Sequence, residues 1–271
     1  MKRKIIVIVV TSLILVAGAL AMFLNSDYYY AKKLVSAIKD ENIIEVQRIV
    51  EKKPSCINTY PSITTKWWHS AMNWRVCYPL NEAVITGNIS LIELLIENGA
   101  DVNCNDGLTT LSLTYRIKAD NWYDISLFLI ENGASLDYVT EYSDGKSSIL
   151  QDIVKSRSES ALESEEVIKA FNYALKNCDH SNIDWMRVLQ HSVSNGRVEI
   201  VRLLLEQGYC AVNDTSVGMT ALMFAARDST TEMVQLLLDY GADKDYISSD
   251  GKTAYDYAVE AENQEIIDLL S

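Results

Sequence analysis

Leu94-Leu95-Ile96-Glu97-Asn98-Gly99-Ala100-Asp101-Val102-Asn103 reads as the end of an amphipathic helix, a glycine stop and the start of a turn. The leucines recur at helical spacing, and a glycine directly after them suits the left-handed C-cap that closes many helices. The pattern returns at Leu129-Ile130-Glu131-Asn132-Gly133-Ala134-Ser135-Leu136-Asp137, at Leu204-Leu205-Glu206-Gln207-Gly208 and at Leu237-Leu238-Asp239-Tyr240-Gly241-Ala242-Asp243. Gly99 and Gly133 stand 34 residues apart, and Gly208 and Gly241 stand 33 apart. A fixed period of that length marks an array of stacked supersecondary units, each burying its apolar face on its neighbours.

Working outward, each glycine stop is preceded by a helix pair. Tyr78-Pro79-Leu80-Asn81-Glu82-Ala83 opens the clearest unit. Proline suits the first helical turn because its missing N–H has no intrahelical partner there. Gly87-Asn88 turns the chain, and Ile89 to Asn98 forms the second helix, with Leu91, Ile92, Leu94, Leu95 and Ile96 as its apolar face. Upstream, Ala31, Leu34, Val35 and Ile38, then Ile43, Val46, Ile49 and Val50, predict a first pair that turns at Asp40-Glu41-Asn42. Downstream, Gly107-Leu108-Thr109-Thr110-Leu111-Ser112, Gly218-Met219-Thr220-Ala221-Leu222-Met223 and Gly251-Lys252-Thr253-Ala254-Tyr255-Asp256 open further units. The threonine before each helix is read as an N-cap acceptor.

These openings, with the Leu-Leu-x-x-Gly-Ala-Asp stops, resemble the ankyrin-repeat pattern over about Tyr28 to Ser271. The resemblance implies an all-α solenoid of about seven helix pairs with short hairpin loops, preceded here by one N-terminal hydrophobic helix. It also implies a rigid binding surface made of hairpin tips and first helices. The family's histidine is absent; Asn81, Ser112, Met223 and Asp256 stand in its place. Since that histidine ties neighbouring loops together, looser loops are expected.

Two stretches break the period. Residues 54–77 form an aromatic insertion, with Trp67, Trp68, His69, Trp74 and Arg75 close together and Cys56 and Cys77 at its ends. A Cys56–Cys77 bridge would close a loop of about 20 residues and contribute roughly 3 kcal/mol on the chain-entropy model. Tryptophan and arginine are typical interface anchors, and the same side chains equally serve as local core over an array end. Residues 144–178 form a degenerate repeat: Ser148-Ile149-Leu150 starts a helix, Lys155 to Glu163 is a widened polar turn, and Glu165 to Asn177 is a second helix with Val167, Ile168, Phe171 and Leu175 inward.

At the N-terminus, Ile5 to Leu24 carries no charge and follows Lys2-Arg3-Lys4. At a rise of about 1.5 Å per residue, such a run is long enough to span a bilayer. The basic cluster orients it with the remainder exported. Residues 1–24 therefore read as a signal anchor, with a cleaved signal peptide as the alternative because Ala19-Leu20-Ala21 resembles a cleavage site. Residues 25–271 form the repeat domain, membrane-held through residues 5–24 or soluble after cleavage, and periplasmic if the cell is a Gram-negative bacterium.

The chain carries a formal net charge of −13 with a pI near 4.7. That balance disfavours a phosphate backbone as partner and favours a basic protein surface. No catalytic constellation, metal-ligand spacing, cofactor motif or small-molecule site is present in the sequence; His69, His180 and His191 have no partners at ligand spacing. The expectation is a non-catalytic protein-binding module. An exported array of this kind resembles bacterial periplasmic ankyrin-repeat proteins, some of which neutralise secreted toxins such as type VI lipase effectors. An envelope scaffold or stress-protection factor without a toxin partner is the alternative. Contact residues are expected in the insertion at Trp67, Trp68, His69, Trp74 and Arg75, and on hairpins and first helices at Tyr115, Asp120, Trp122 and Tyr142.

Overall fold

The computed structural model describes residues 26–59, 79–104, 109–117, 120–142, 145–156 and 165–271. Fourteen α-helices occur there, following one another in pairs. The pairs are α1 (Asp27–Lys39) with α2 (Ile43–Lys52), α3 (Pro79–Thr86) with α4 (Ile89–Glu97), and α5 (Thr110–Thr114) with α6 (Trp122–Glu131). Then come α7 (Ile149–Val154) with α8 (Glu165–Asn177), α9 (Trp185–Ser194) with α10 (Val198–Glu206), α11 (Ala221–Asp228) with α12 (Thr231–Asp239), and α13 (Ala254–Glu260) with α14 (Gln264–Leu270). The expectation of a purely helical chain needs one amendment. Among the described residues two antiparallel hairpins are present, β1 (Val139–Tyr142) with β2 (Gly145–Ser148) and β3 (Thr215–Ser216) with β4 (Met219–Thr220).

The described chain divides into two compact units, one formed by residues up to Thr114 together with Ala119–Ala134, the other by Tyr115–Lys118 and Ser135–Ser271. Within the first, α1 packs on α3 and α3 on α5. Within the second, α7, α9, α11 and α13 stack in sequence, and α8, α10, α12 and α14 form the adjoining row. The inward residues are those the periodicity selects. Leu34, Ile38, Leu91, Ile92 and Leu95 are fully buried in the first unit, and Val167, Phe171, Val201, Leu204, Val234 and Leu237 in the second. Burying each such side chain contributes about 1.5–3 kcal/mol. Leu94, Ile96 and Ile168 are only half-buried, on the flanks of their helices.

The glycine stops take the geometry their residue type anticipates. Gly99 has φ +88°, and the Ala100 N–H donates to the Leu95 carbonyl at 2.9 Å. The same six-to-one bond recurs from Ala134 to Leu129 (2.9 Å), Tyr209 to Leu204 (3.1 Å) and Ala242 to Leu237 (3.0 Å). It satisfies a carbonyl that the helix end would otherwise leave orphaned. The threonine caps are less uniform. Thr253 forms a full capping box with Asp256, and Thr109 Oγ1 accepts from the Ser112 N–H at 3.1 Å. Thr220, expected to act alike, caps no backbone N–H with its side chain.

Among the described residues no helix is long and apolar enough to cross a membrane. The run 5–24, on which the anchor expectation rests, lies outside them.

Candidate interaction surfaces

The loops between repeats are tied to one another by asparagine side chains. Asn58 donates through Nδ2 to the Gly99 carbonyl at 2.9 Å and accepts on Oδ1 from the Asp101 N–H at 2.9 Å. Asn213 repeats this fork one repeat before the end, to the Gly241 carbonyl at 3.1 Å and from the Asp243 N–H at 2.8 Å. Asn103 Nδ2 reaches the Gly133 carbonyl at 2.9 Å. In the degenerate repeat, Asp137 takes over, its Oδ1 accepting from the Asp179 N–H at 2.6 Å. Gly99, Gly133 and Gly241 therefore offer their carbonyls to the loop before them. At these positions asparagine ties neighbouring loops together although the family's histidine is absent.

Asn81, in the histidine's own place, is fully buried and accepts on Oδ1 from the Thr110 hydroxyl at 2.7 Å. The corresponding region of the second unit holds a buried carboxylate. Asp152 accepts from the Tyr138 hydroxyl and the Ser147 hydroxyl, each at 3.0 Å, and lies 3.7 Å from Arg116. A buried charge persists only when paired and hydrogen-bonded, and these partners meet that requirement.

The asparagine tie relocates the start of the insertion. Residues 54–59, expected to belong to it, instead continue the array: Pro54–Cys56 is a 3₁₀ turn, and Asn58 is the first tie of the ladder. Proline ends α2 and masked the register, because the Asp-Val-Asn signature is there Cys56-Ile57-Asn58. Trp67, Trp68, His69, Trp74, Arg75 and Cys77 lie outside the described residues. Cys56 is fully buried with a free thiol, and burial, seconded by the Asp27 carboxylate, pushes its pKa up to about 11.

The weaker contact candidates separate on burial. Tyr115 is 2% exposed and Trp122 7% exposed, so both fill core rather than face a partner. Trp122 opens α6 and meets Tyr123 edge to face at 5.7 Å. Asp120 is exposed in the turn before α6. Tyr142 ends β1 opposite Gly145.

Several accessible features escaped the sequence reading. Trp185 stacks on Tyr209 at 4.3 Å, and the His180 ring meets both edge to face at 5.3 and 5.7 Å. Exposed apolar side chains stand on successive loops in the second unit, Val217 at 84% and Ile247 at 64% exposure. Burial, seconded by Asp214, pushes the Cys210 thiol up to about 12. Among the described residues, no group of three or more His, Cys, Asp or Glu is placed to hold a metal ion.

Helix pairs, left-handed glycine stops and loop-to-loop ties together define one repeat architecture. A family model described as ankyrin repeats in three copies matches residues 160–248 and 189–271, and a single ankyrin repeat matches residues 77–107. The chain is an ankyrin-repeat protein. Its ankyrin array aligns with the human ASB11 ankyrin repeat domain at TM-score 0.61 and 24% identity, over 88% of this chain and 97% of that one. It aligns with the ankyrin repeat domain of Bcl-3, of the IkappaB family, at TM-score 0.56 and 23% identity, over 88% and 96%. A complex of a predatory endopeptidase from Bdellovibrio bacteriovorus with an immunity protein is also matched, at TM-score 0.41 and 20% identity over 88% and 95%. The likenesses to ASB11 and Bcl-3 are of fold. No curated protein matches the sequence.

Proposed function

We propose that this chain is a non-catalytic binder of one cognate protein, held on the exported side of a membrane by residues 5–24, and that it neutralises a secreted toxin of basic surface. The carrying observation is the loop ladder. Asn58 and Asn103 in the first unit, and Asn213 in the second, each fix a loop to its neighbour before any partner arrives. Pre-organised loops lower the ordering cost of association, which is what a tight binding surface requires. Lys2-Arg3-Lys4 before the uncharged run supports export, and the net charge of −13 supports attraction of a basic partner. Within this reading the insertion contributes anchors at Trp67, Trp68, His69, Trp74 and Arg75.

The test is affinity capture of the full chain from its native envelope, with mass spectrometry of what is retained. One stoichiometric protein is expected, whose toxicity the chain suppresses on co-expression. Replacing Trp67→Ala with Trp68→Ala should weaken the complex by more than about 2 kcal/mol, roughly 30-fold, without lowering the melting temperature. Capture of a non-toxic envelope component would replace neutralisation with a scaffold role. An equal loss of thermal stability would assign the tryptophans to core.

A further inference from the structure

The C-terminal quarter of the array carries a second surface with its own chemistry. Residues 206–271 hold thirteen acidic side chains and three basic ones, Arg227, Lys244 and Lys252. All three are committed internally. Arg227 pairs with Asp228 at 2.6 Å, Lys252 with Glu260 at 2.7 Å, and Lys244 donates to the Leu269 carbonyl at 2.9 Å. Asp214, Asp243 and Asp245 are exposed in the loops here.

Apolar side chains stand among these acids. Val217 and Gly218 are the two central residues of the β3–β4 hairpin, with φ of +53° and +76°. That is the backbone of a type I′ turn, whose first central position favours asparagine, aspartate or glycine. A β-branched residue in this region is a genuine outlier, costing on the order of 1–2 kcal/mol. The valine side chain recovers nothing by burial, since it projects into solvent. The next loop lies directly against this tip: the Ser249 N–H donates to the Gly218 carbonyl at 3.3 Å, two residues from exposed Ile247. Beside the hairpin, half-buried Met186 and Met219 lie over the buried side chains of Leu189 and Phe224 between α9 and α11. Methionine adapts its shape readily to a docking partner.

We infer that the β3–β4 hairpin tip, the Ile247 loop and the half-buried Met219 beside them form a docking surface for a cationic protein segment that presents an aliphatic side chain. Lysine or arginine on the partner meets Asp214, Asp243 and Asp245, while its aliphatic residue covers Val217 and Met219. The surface rests on the protein-binding reading above, but its residues and its test are separate from the tryptophan insertion.

The probe is a fluorescein-labelled peptide of six lysines flanking one central leucine, titrated with the full chain at low ionic strength. Comparison peptides carry glycine in place of leucine, or glutamate in place of lysine. Saturable anisotropy is expected for the lysine–leucine peptide. It should weaken about five-fold or more with the glycine peptide, with Val217→Ser and with Asp245→Lys, and fall steeply as salt rises. Ile44→Ser, an equally exposed aliphatic in the first unit, should leave it unchanged. Three results overturn the inference: no saturation at millimolar chain, equal weakening by Ile44→Ser, or indifference to Val217→Ser and Asp245→Lys. Concentration-dependent dimers abolished by Val217→Ser would assign the surface to a second copy of the chain and overturn it as well. Failure of this probe beside a successful capture from the envelope refutes the surface alone; success here beside a failed capture refutes the cognate toxin alone.

Discussion

Gly218→Ala should be the most damaging glycine-to-alanine change among the positive-φ glycines whose surroundings are defined, and the structure says why. Gly99, Gly133, Gly208, Gly241 and Gly251 have φ between +72° and +92°, with no heavy atom within 4 Å of a Cβ built on them. Alanine at Gly99 therefore costs only conformation, about 1–2 kcal/mol, offset by the 0.4–1 kcal/mol that a stiffer unfolded chain returns. Gly218 has a similar φ of +76°, but its Cβ would stand 2.7 Å from Ser249 Oγ and 2.9 Å from Ser249 Cβ. Ser249 Cβ is fixed to the backbone of the neighbouring loop, so rotation of the hydroxyl cannot relieve the contact. Overpacking of this kind adds roughly 1–3 kcal/mol. The total for Gly218→Ala is then about 2–4 kcal/mol, against about 1 for Gly99→Ala. Because an array need not unfold in one step, hydrogen exchange read by mass spectrometry suits this comparison better than a single melting curve. Protection should fall in peptides covering 215–220 and 245–252. Ser249→Gly in the same chain should restore the part due to the clash and leave the conformational part. Equal effects of the two alanines, or no rescue by Ser249→Gly, would refute the reasoning.

Three further outcomes follow from the geometry. Asn103→Ala removes the tie to the Gly133 carbonyl; it should cost about 1 kcal/mol and speed exchange in peptides spanning 131–136 without touching α12. Ser248 and Tyr257 hydroxyls hold the Asp250 carboxyl below its ordinary value, and Thr253, chiefly through its backbone N–H, does the same for Asp256. Both folded pKa values are depressed, so their stabilisation is complete above the unfolded carboxylate value and is lost as pH falls below about 3.8 through the lower folded values. Melting from pH 6 to pH 2.5 should show that loss, and Asp250→Asn should flatten it. Cys56 and Cys210, pushed up to about 11 and about 12, should alkylate at pH 8 more than about ten-fold slower than a peptide thiol while folded, as thiolate content dictates. After unfolding without reductant, Cys210 should label fully. Cys56 should label only if no bridge to Cys77 has formed.

Much of the architecture was legible because glycine and leucine report local physics. A left-handed C-cap selects glycine almost regardless of context, so Gly99, Gly133, Gly208 and Gly241 set the register unaided. Helix α8 was equally readable: its apolar residues fall on one face although its repeat is degenerate, and the helix spans the residues its pattern marks. Other features depend on what a residue meets in space. Tyr115 and Trp122 have side chains suited alike to core and to interface, and only packing showed them to be core. Asn58 was concealed by Pro54, which broke the pattern while the loop geometry continued. Val217 is the reverse case. A β-branched residue is the wrong signal for a type I′ turn, so sequence patterning passes over the tip that the backbone singles out. The acidic balance was visible as a total; its concentration beside exposed aliphatics appears only when loops distant in sequence are brought together.

The most direct test of a non-catalytic binder is the state of the partner after binding. Full chain and its captured partner should be mixed in known amounts, weighed as a complex by native mass spectrometry, then separated and measured again. The prediction is one partner per chain and an unaltered partner mass after prolonged incubation. A partner returned cleaved or chemically modified, or the absence of any stoichiometric complex, would contradict it.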